Sequence, residues 1–431
     1  MNISADLSLP QQAQYLRTLS AVRERCGRVF DLAKQGKLQY LDYHADKEGV
    51  ITEFCSGIIA RDFGTNYDKV PPHGRISHCN IGRDRVTPLL QQWTTSVDTK
   101  EACKRLVDLL VTSTLLDAGA GKDWAYTEQS TGERYSRSEG LAVCCLHMFT
   151  EGYFSSDPEQ PHQVDAEALS KVTVDSMAKH MQVDATNPLV GLDGRTSLLI
   201  NLSKALTASP KFFGPDGRPG NMLDFLESES IVEGSIRKVP LAALWQVLID
   251  GLNPVWPASR TTLAGVSLGD VWPCPALKST TSAEADDLVP FHKLTQWMTY
   301  SVIEAIETVM KWDIVGKEDM TGLPEYRNGG LLIDLGVVTL KPGILPTDPV
   351  SLLPKAAASH PAVVEWRALT VIILDRIADN IRAKLGLKPE ELNLAQVLEG
   401  ATWKGGREIA KQRRPESGGP PLDIESDGTV F

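Results

Sequence analysis

The chain has 431 residues, 42% of them hydrophobic and 23% charged, which is apolar material for a sizeable core and more length than one ordinary core needs. Its formal net charge of −11, from 55 acidic against 44 basic residues, disfavours a nucleic-acid-binding role, because phosphate contacts call for a basic face. Seven cysteines, odd in number and without a CxxC pair, argue against a disulfide framework and a structural zinc site.

The N-terminus, MNISADLSLPQQ, lacks a signal pattern, and no run of eighteen apolar residues occurs, so the expected location is cytoplasmic. In chain order, residues 11–34 read as a helix ending near Gly36. Residues 30–90 are the least regular: KLQYLDYH is weakly strand-like, and VITEFCSGIIARDF reads better as a helix. Residues 98–117 place Cys103, Leu106, Leu109, Leu110, Ser113 and Leu116 at helical spacing, behind Asp98 as N-cap with Glu101 three residues later. Helices follow over 137–150, 165–182 and 189–208, with Cys144 and Cys145 in the core of the first. The proline- and glycine-rich stretches 209–222 and 250–275 are expected to be long loops, of the kind that bind or cover a ligand or link domains.

Two long helices come next. Over 287–312, Leu294, Trp297, Met298, Ser301, Ala305 and Val309 form a stripe, with Pro290 in the first turn. Over 361–385, Pro361 starts and Gly386 ends a helix whose inner face carries Trp366, Thr370, Ile373, Ile377 and Ile381. The tail from Pro415 is loop-like, yet Leu422, Ile424, Val430 and Phe431 equip it to dock. The expected fold is mainly α and two-lobed, with minor β content in the N-terminal part. Its divisions are a mixed segment 1–95, a helical lobe 96–275, a C-terminal helical lobe 276–414 and the tail 415–431.

Three generic catalytic motifs are missing: no GxGxxG after a strand, GxxxxGK[ST] or HExxH. DAGAG at 117–121 lacks the context of a phosphate loop. His73 and His78 have metal-like spacing without an evident third ligand, so neither a metal nor a cofactor is expected. With Arg75, Arg83 and Arg85 they make a reserve anion site. Three segments mix polar side chains, aromatics and glycine. The first carries Asp117, Lys122, Asp123, Trp124 and Tyr126 after a helix end. The second, PFHKLTQWMTYS, sets Lys293, Trp297, Tyr300 and Glu304 on one helical face with Gln296 beside them. The third, LPEYRNGGLLIDLGVV, holds Glu325, Tyr326 and Arg327. Read alone, Glu325 is a favourable residue for a helix N-terminus and Arg327 a solvated one, while Trp124 and Trp297 are core aromatics.

LPEYRNGGLLIDLGVV, YSRSEGLAVCCLHMFTEGYFSS, FGPDGRPGNMLDFL and the closing SDGTVF resemble the uracil-catabolism family of fungi and bacteria, and the resemblance covers nearly the whole chain. It implies a pathway in which uracil is ribosylated and its ring opened, leaving ribosylurea or its 5-phosphate to be split into urea and a ribose moiety. A more distant resemblance is to the queuosine-phosphate salvage hydrolases, helical relatives of DNA glycosylases, whose Asp-Tyr-Arg motif precedes a hydrophobic helix. Glu325, Tyr326 and Arg327 stand in that place, which implies that Glu325 is the catalytic carboxylate, one methylene longer than the Asp of those relatives. FHKLTQWMTYSV is similar to their lysine- and glutamine-bearing helix. HPAVVEWRALTV, with Glu365 and Arg367, is similar to a downstream Glu-x-Arg helix, and LDGRTSLLINL, with Arg195, to a further shared stretch. LLDAGAGKDWAY occupies the position of a base-contacting segment.

The implied activity is an N-glycosidase that cleaves the N-ribosyl bond of ribosylurea or its phosphate. A carboxylate such as Glu325 stabilises the oxocarbenium-like charge and activates water. Asp117 or Asp123, with Trp124 and Tyr126, would hold the ureido group. Lys293, Arg327, Arg195 and Arg367 are the candidates for a phosphate, since guanidinium forks match its oxygens. Gln296, Tyr300, Tyr326 and Glu365 complete the substrate-binding set. The partner is thus a small molecule, with no nucleic acid and no membrane, and a homodimer is open. Two other readings stand beside this one: an amidohydrolase acting on the ureido group, which would need a metal or an activated nucleophile, and a non-catalytic partner of the ring-opening enzyme.

Overall fold

The computed structural model describes residues 3, 6–117, 119–278 and 283–425; the closing SDGTVF, with Val430 and Phe431, lies outside the described residues. Helices dominate and the strands are two to five residues long, so the fold is mainly α with minor β. The strand pairs are not confined to the N-terminal part. Leu41–Tyr43 pairs antiparallel with Val338–Leu340, and Lys355–Ala357 pairs parallel with Asp423–Glu425, which ties the tail to the C-terminal half.

Capping residues divide what hydrophobic period alone runs together. Residues 11–34 form two helices, Leu9–Leu16 and Leu19–Lys34, because Thr18 turns extended and its side chain accepts from the Ala21 N–H. Residues 165–182 likewise split into Ala166–Ser170 and Val174–His180, each opened by its own cap, Asp165 and Thr173. Asp98 caps Thr99–Leu115 through the Glu101 N–H, and all six residues of the expected stripe are buried. Pro290 is not in a helix. It ends the strand Leu288–Pro290, which pairs with Val271–Pro273, and His292 at φ 47° turns the chain into Lys293–Ala305. Pro361–Leu385 runs between its expected boundaries, closed by Gly386 at φ 69°. The stretch 250–275 contains short hairpin strands rather than a bare loop.

Two large apolar cores organise these elements. One gathers Leu106, Leu109, Leu141, Phe149, Leu199, Leu244, Trp297 and Leu323. The other gathers Val22, Phe30, Ile51, Ile59, Leu331, Trp366, Ile373, Ile377 and Leu422. Among the described residues, no helix is long and apolar enough to cross a membrane.

Candidate functional site

A cavity of about 1120 Å3 opens where the cores meet, with Trp297 and Leu323 of the first core and Leu422 of the second in its walls. Asp117, Lys293, Glu325, Tyr326 and Arg327 line it together, although nearly 180 residues separate Asp117 from Lys293 in the chain.

Glu325 is the N-cap of the helix Tyr326–Asp334. Its carboxylate accepts from the Arg327 N–H at 2.7 Å and the Asn328 N–H at 2.6 Å, so each oxygen is fixed by one backbone donor at the positive end of the helix. Burial raises its pKa, opposed by those two amides and the charges of Lys293 and Arg327; the net direction is upward. The helix-start reading and the cavity-facing reading therefore hold at once.

Asp117 follows the helix Thr99–Leu115 and takes the opposite direction. It pairs with Arg75 at 2.9 Å and accepts from the Ser138 hydroxyl at 2.5 Å. Burial pushes its pKa up, but Arg75, His78, Lys293 and the Ser138 bond outweigh that and hold it below the ordinary value. Lys293, at the first turn of its helix, feels both carboxylates. Burial still pulls its pKa down, and among the described residues its ammonium makes no hydrogen bond or ion pair.

The expected substrate contacts sort into two layers. Gln296 donates to the Thr321 hydroxyl at 2.8 Å and accepts from the Thr321 N–H at 2.9 Å. The Tyr300 hydroxyl donates to the Thr321 carbonyl at 3.0 Å, and Arg367 Nε donates to the Pro324 carbonyl at 3.1 Å. These three residues hold the segment 321–325 that presents Glu325, and none of them lines the cavity. Arg367 is further occupied by Asp270, at 2.7 and 2.8 Å in a buried fork. Arg195 donates to the carbonyls of Leu116 and Gly119, each at 3.1 Å, and so fixes the loop that carries Asp117. Both arginines are engaged with protein groups rather than facing the cavity.

Four residues stand farther off. Glu365 accepts from the Gln39 and Tyr40 amides at 3.2 and 3.1 Å. Trp124 is fully buried, with its indole N–H on the Met181 carbonyl. Tyr126 stacks on His147, and Asp123 is exposed and not part of the cavity lining. Arg327 is buried rather than solvated: it stacks on the Tyr326 ring and donates to the Gly418 carbonyl at 2.7 Å.

Residues outside the expected set also reach the wall. His73 and His78 line it with Trp297 and Trp403, the His73 and Trp297 rings 4.4 Å apart. His73 pairs with Glu399 at 2.5 Å, whereas both ring nitrogens of His78 and the Trp297 indole nitrogen are buried without a hydrogen-bond partner among the described residues. Arg83 and Arg85 turn away to Glu128, which dissolves the reserve anion loop as a unit. Among the described residues, no group of three or more His, Cys, Asp or Glu is placed to hold a metal. Arg137 and the tail residues 414–417 and 419–420 close the cavity's outer side. Arg137 lies within YSRSEGL, but nothing in its local spacing separates it from an ordinary helix-start arginine.

A family model described as "Protein of unknown function (DUF1688)" matches residues 15–431. The chain is 40% identical over 442 residues to "Uracil catabolism protein 4" of Lachancea kluyveri, covering 99% of this chain and 100% of that protein. It is 39% identical over 428 residues to "Protein urg3" of Schizosaccharomyces pombe, covering 96% and 98% respectively.

Proposed function

Given that the chain belongs to the DUF1688 family and aligns end to end with a uracil catabolism protein, we propose that it is a hydrolase of uracil catabolism. The bond cleaved is the N-ribosyl bond of ribosylurea, carried as its 5-phosphate, and the products are urea and ribose 5-phosphate. The observation that carries this reading is the convergence of Glu325, Asp117 and the unpaired Lys293 on one cavity. Heterolysis of an N-ribosyl bond places positive charge on the anomeric carbon and ring oxygen. Two carboxylates in contrasting environments divide the labour: Asp117, held below the ordinary range, offers the counter-charge, while Glu325, raised by burial, is the stronger base for the attacking water. The two amides that fix Glu325 keep its free lone pairs directed without a side-chain rearrangement.

Glu325→Gln keeps one of the two acceptor oxygens and nearly the same shape, and it removes the base. It is expected to fold normally and to lose roughly 100- to 10,000-fold in turnover of ribosylurea 5-phosphate. Wild-type turnover by the folded variant would end the assignment. Product analysis separates this reading from ureido-group hydrolysis, since free urea supports the first and ammonia with carbon dioxide the second. All seven cysteines are buried and none lines the cavity, so a thiol nucleophile for the second chemistry has no support there.

A further inference from the structure

Two arginines of the cavity converge on one neutral oxygen. Arg327 Nη1 lies 2.7 Å and Arg137 Nη1 3.3 Å from the Gly418 carbonyl, and Arg137 also reaches the Ser417 carbonyl at 2.5 Å. Neither arginine forms an ion pair with a carboxylate among the described residues, although Arg327 is only 5% exposed. The neighbouring Arg414 and Arg407 differ in this respect, being matched by Asp334 and Glu139. Buried guanidinium groups are normally paired, and two side by side repel each other unless an anion lies between them. The crowding is felt at Arg137, whose pKa is lowered by burial and then by the charge of Arg327.

The backbone adds a second sign. Arg137 opens the helix Arg137–Thr150 at φ 57°, a left-handed conformation that is strained for a residue with a Cβ. Such strain persists where the surroundings fix a side chain for a purpose.

We propose that Arg137 and Arg327 form a binding site for a phosphate monoester, one of whose oxygens takes the focus now held by the Gly418 carbonyl. The sugar-phosphate identity of the ligand rests on the hydrolase reading; the anion site does not. A dianionic phosphate supplies several acceptor oxygens to two forks, where the carbonyl supplies one. Lys293, unpaired in the same cavity, adds a third charge without a fork.

The test is calorimetric binding of ribose 5-phosphate, inorganic phosphate and ribose to the full-length protein and to Arg137→Ala, Arg137→Lys and Arg327→Ala. Ribose 5-phosphate is expected to bind at least tenfold more tightly than ribose. Each alanine variant should erase roughly tenfold or more of that preference, with Arg137→Lys restoring part of it. Arg137 is partly exposed at a helix start, so its alanine variant keeps the core intact. Tighter binding of the ester than of inorganic phosphate assigns the site to a sugar phosphate, whereas equal binding assigns it to the free anion; either needs the arginines. Equal affinity for ribose 5-phosphate and ribose, or a preference that survives in both alanine variants, overturns the proposal. The hydrolase reading is judged separately by Glu325→Gln, so the two can fail independently.

Discussion

Lys293 shows what one unpaired charge does in this cavity. It is electrostatically tied to Asp117 and Glu325 but bonded to neither, so its ammonium is available to a ligand without first breaking an ion pair. Lys293→Ala is therefore expected to lower kcat/KM for ribosylurea 5-phosphate by roughly tenfold or more, and by clearly less for the unphosphorylated riboside. Kinetics of both substrates on both proteins measures the ratio, and an equal loss for the two would remove Lys293 from phosphate recognition. Glu304 is a second residue whose environment has a measurable outcome. Its carboxyl is pushed up to about 8, first by burial and then by Glu399, and one of its oxygens, beside Gly74, is buried without a hydrogen-bond partner among the described residues. A carboxyl raised in the fold contributes stability that is complete below its unfolded value, near 4.5, and is lost as pH rises through about 8. Thermal unfolding between about pH 6 and 9 should thus show a steeper alkaline fall for wild type than for Glu304→Gln. Parallel curves would mean that Glu304 is already ionised at neutral pH.

At the scale of elements, the segment 321–325 is presented to the cavity by what lies behind it. Arg367 joins the long helix Pro361–Leu385 both to the Pro324 carbonyl and to the buried Asp270. Removing a partner from a buried ion pair strands the other charge, so Arg367→Ala is expected to cost about 3–5 kcal/mol in chemical denaturation. A cost under about 1 kcal/mol would show that water reaches Asp270. A second close approach is at Gly406, where any Cβ would enter contact with the Arg327 carbonyl. Gly406→Ala must push apart the helices Lys404–Arg413 and Tyr326–Asp334, with an expected loss of about 1–3 kcal/mol and weaker ribose 5-phosphate binding through displaced Arg327. These elements also mark how far a sequence can be read. Pro361 and Gly386 delimit a helix through local chemistry, and that boundary is legible. The break at Thr18 and the Thr173–Ser176 cap were also written locally, but the apolar period across them masked the signal. The roles of Gln296, Tyr300 and Arg367 were not legible. A motif fixes which residues recur near a site, while facing a ligand or bracing the loop that does so depends on helix rotation and on Thr321 and Pro324, far away in sequence.

For the whole molecule, the cavity is the product of long-range closure. Its lining runs from His73 to Ile424, and both apolar cores contribute walls. Sequence patterns identified Asp117, Lys293, Glu325 and Arg327 separately; their meeting in one space, and the addition of Arg137, Trp403 and the tail, follow from tertiary packing that no local spacing encodes. The parallel pairing of Lys355–Ala357 with Asp423–Glu425 has a consequence for synthesis. A ribosome delivers a chain from its N-terminus, so Asp117 and Glu325 emerge before Asp423–Glu425, the strand that seats the outer wall. Until that pairing forms, the side of the cavity that the tail closes is open to solvent and to any passing anion. Binding competence in this architecture thus waits for the pairing of Asp423–Glu425 with Lys355–Ala357.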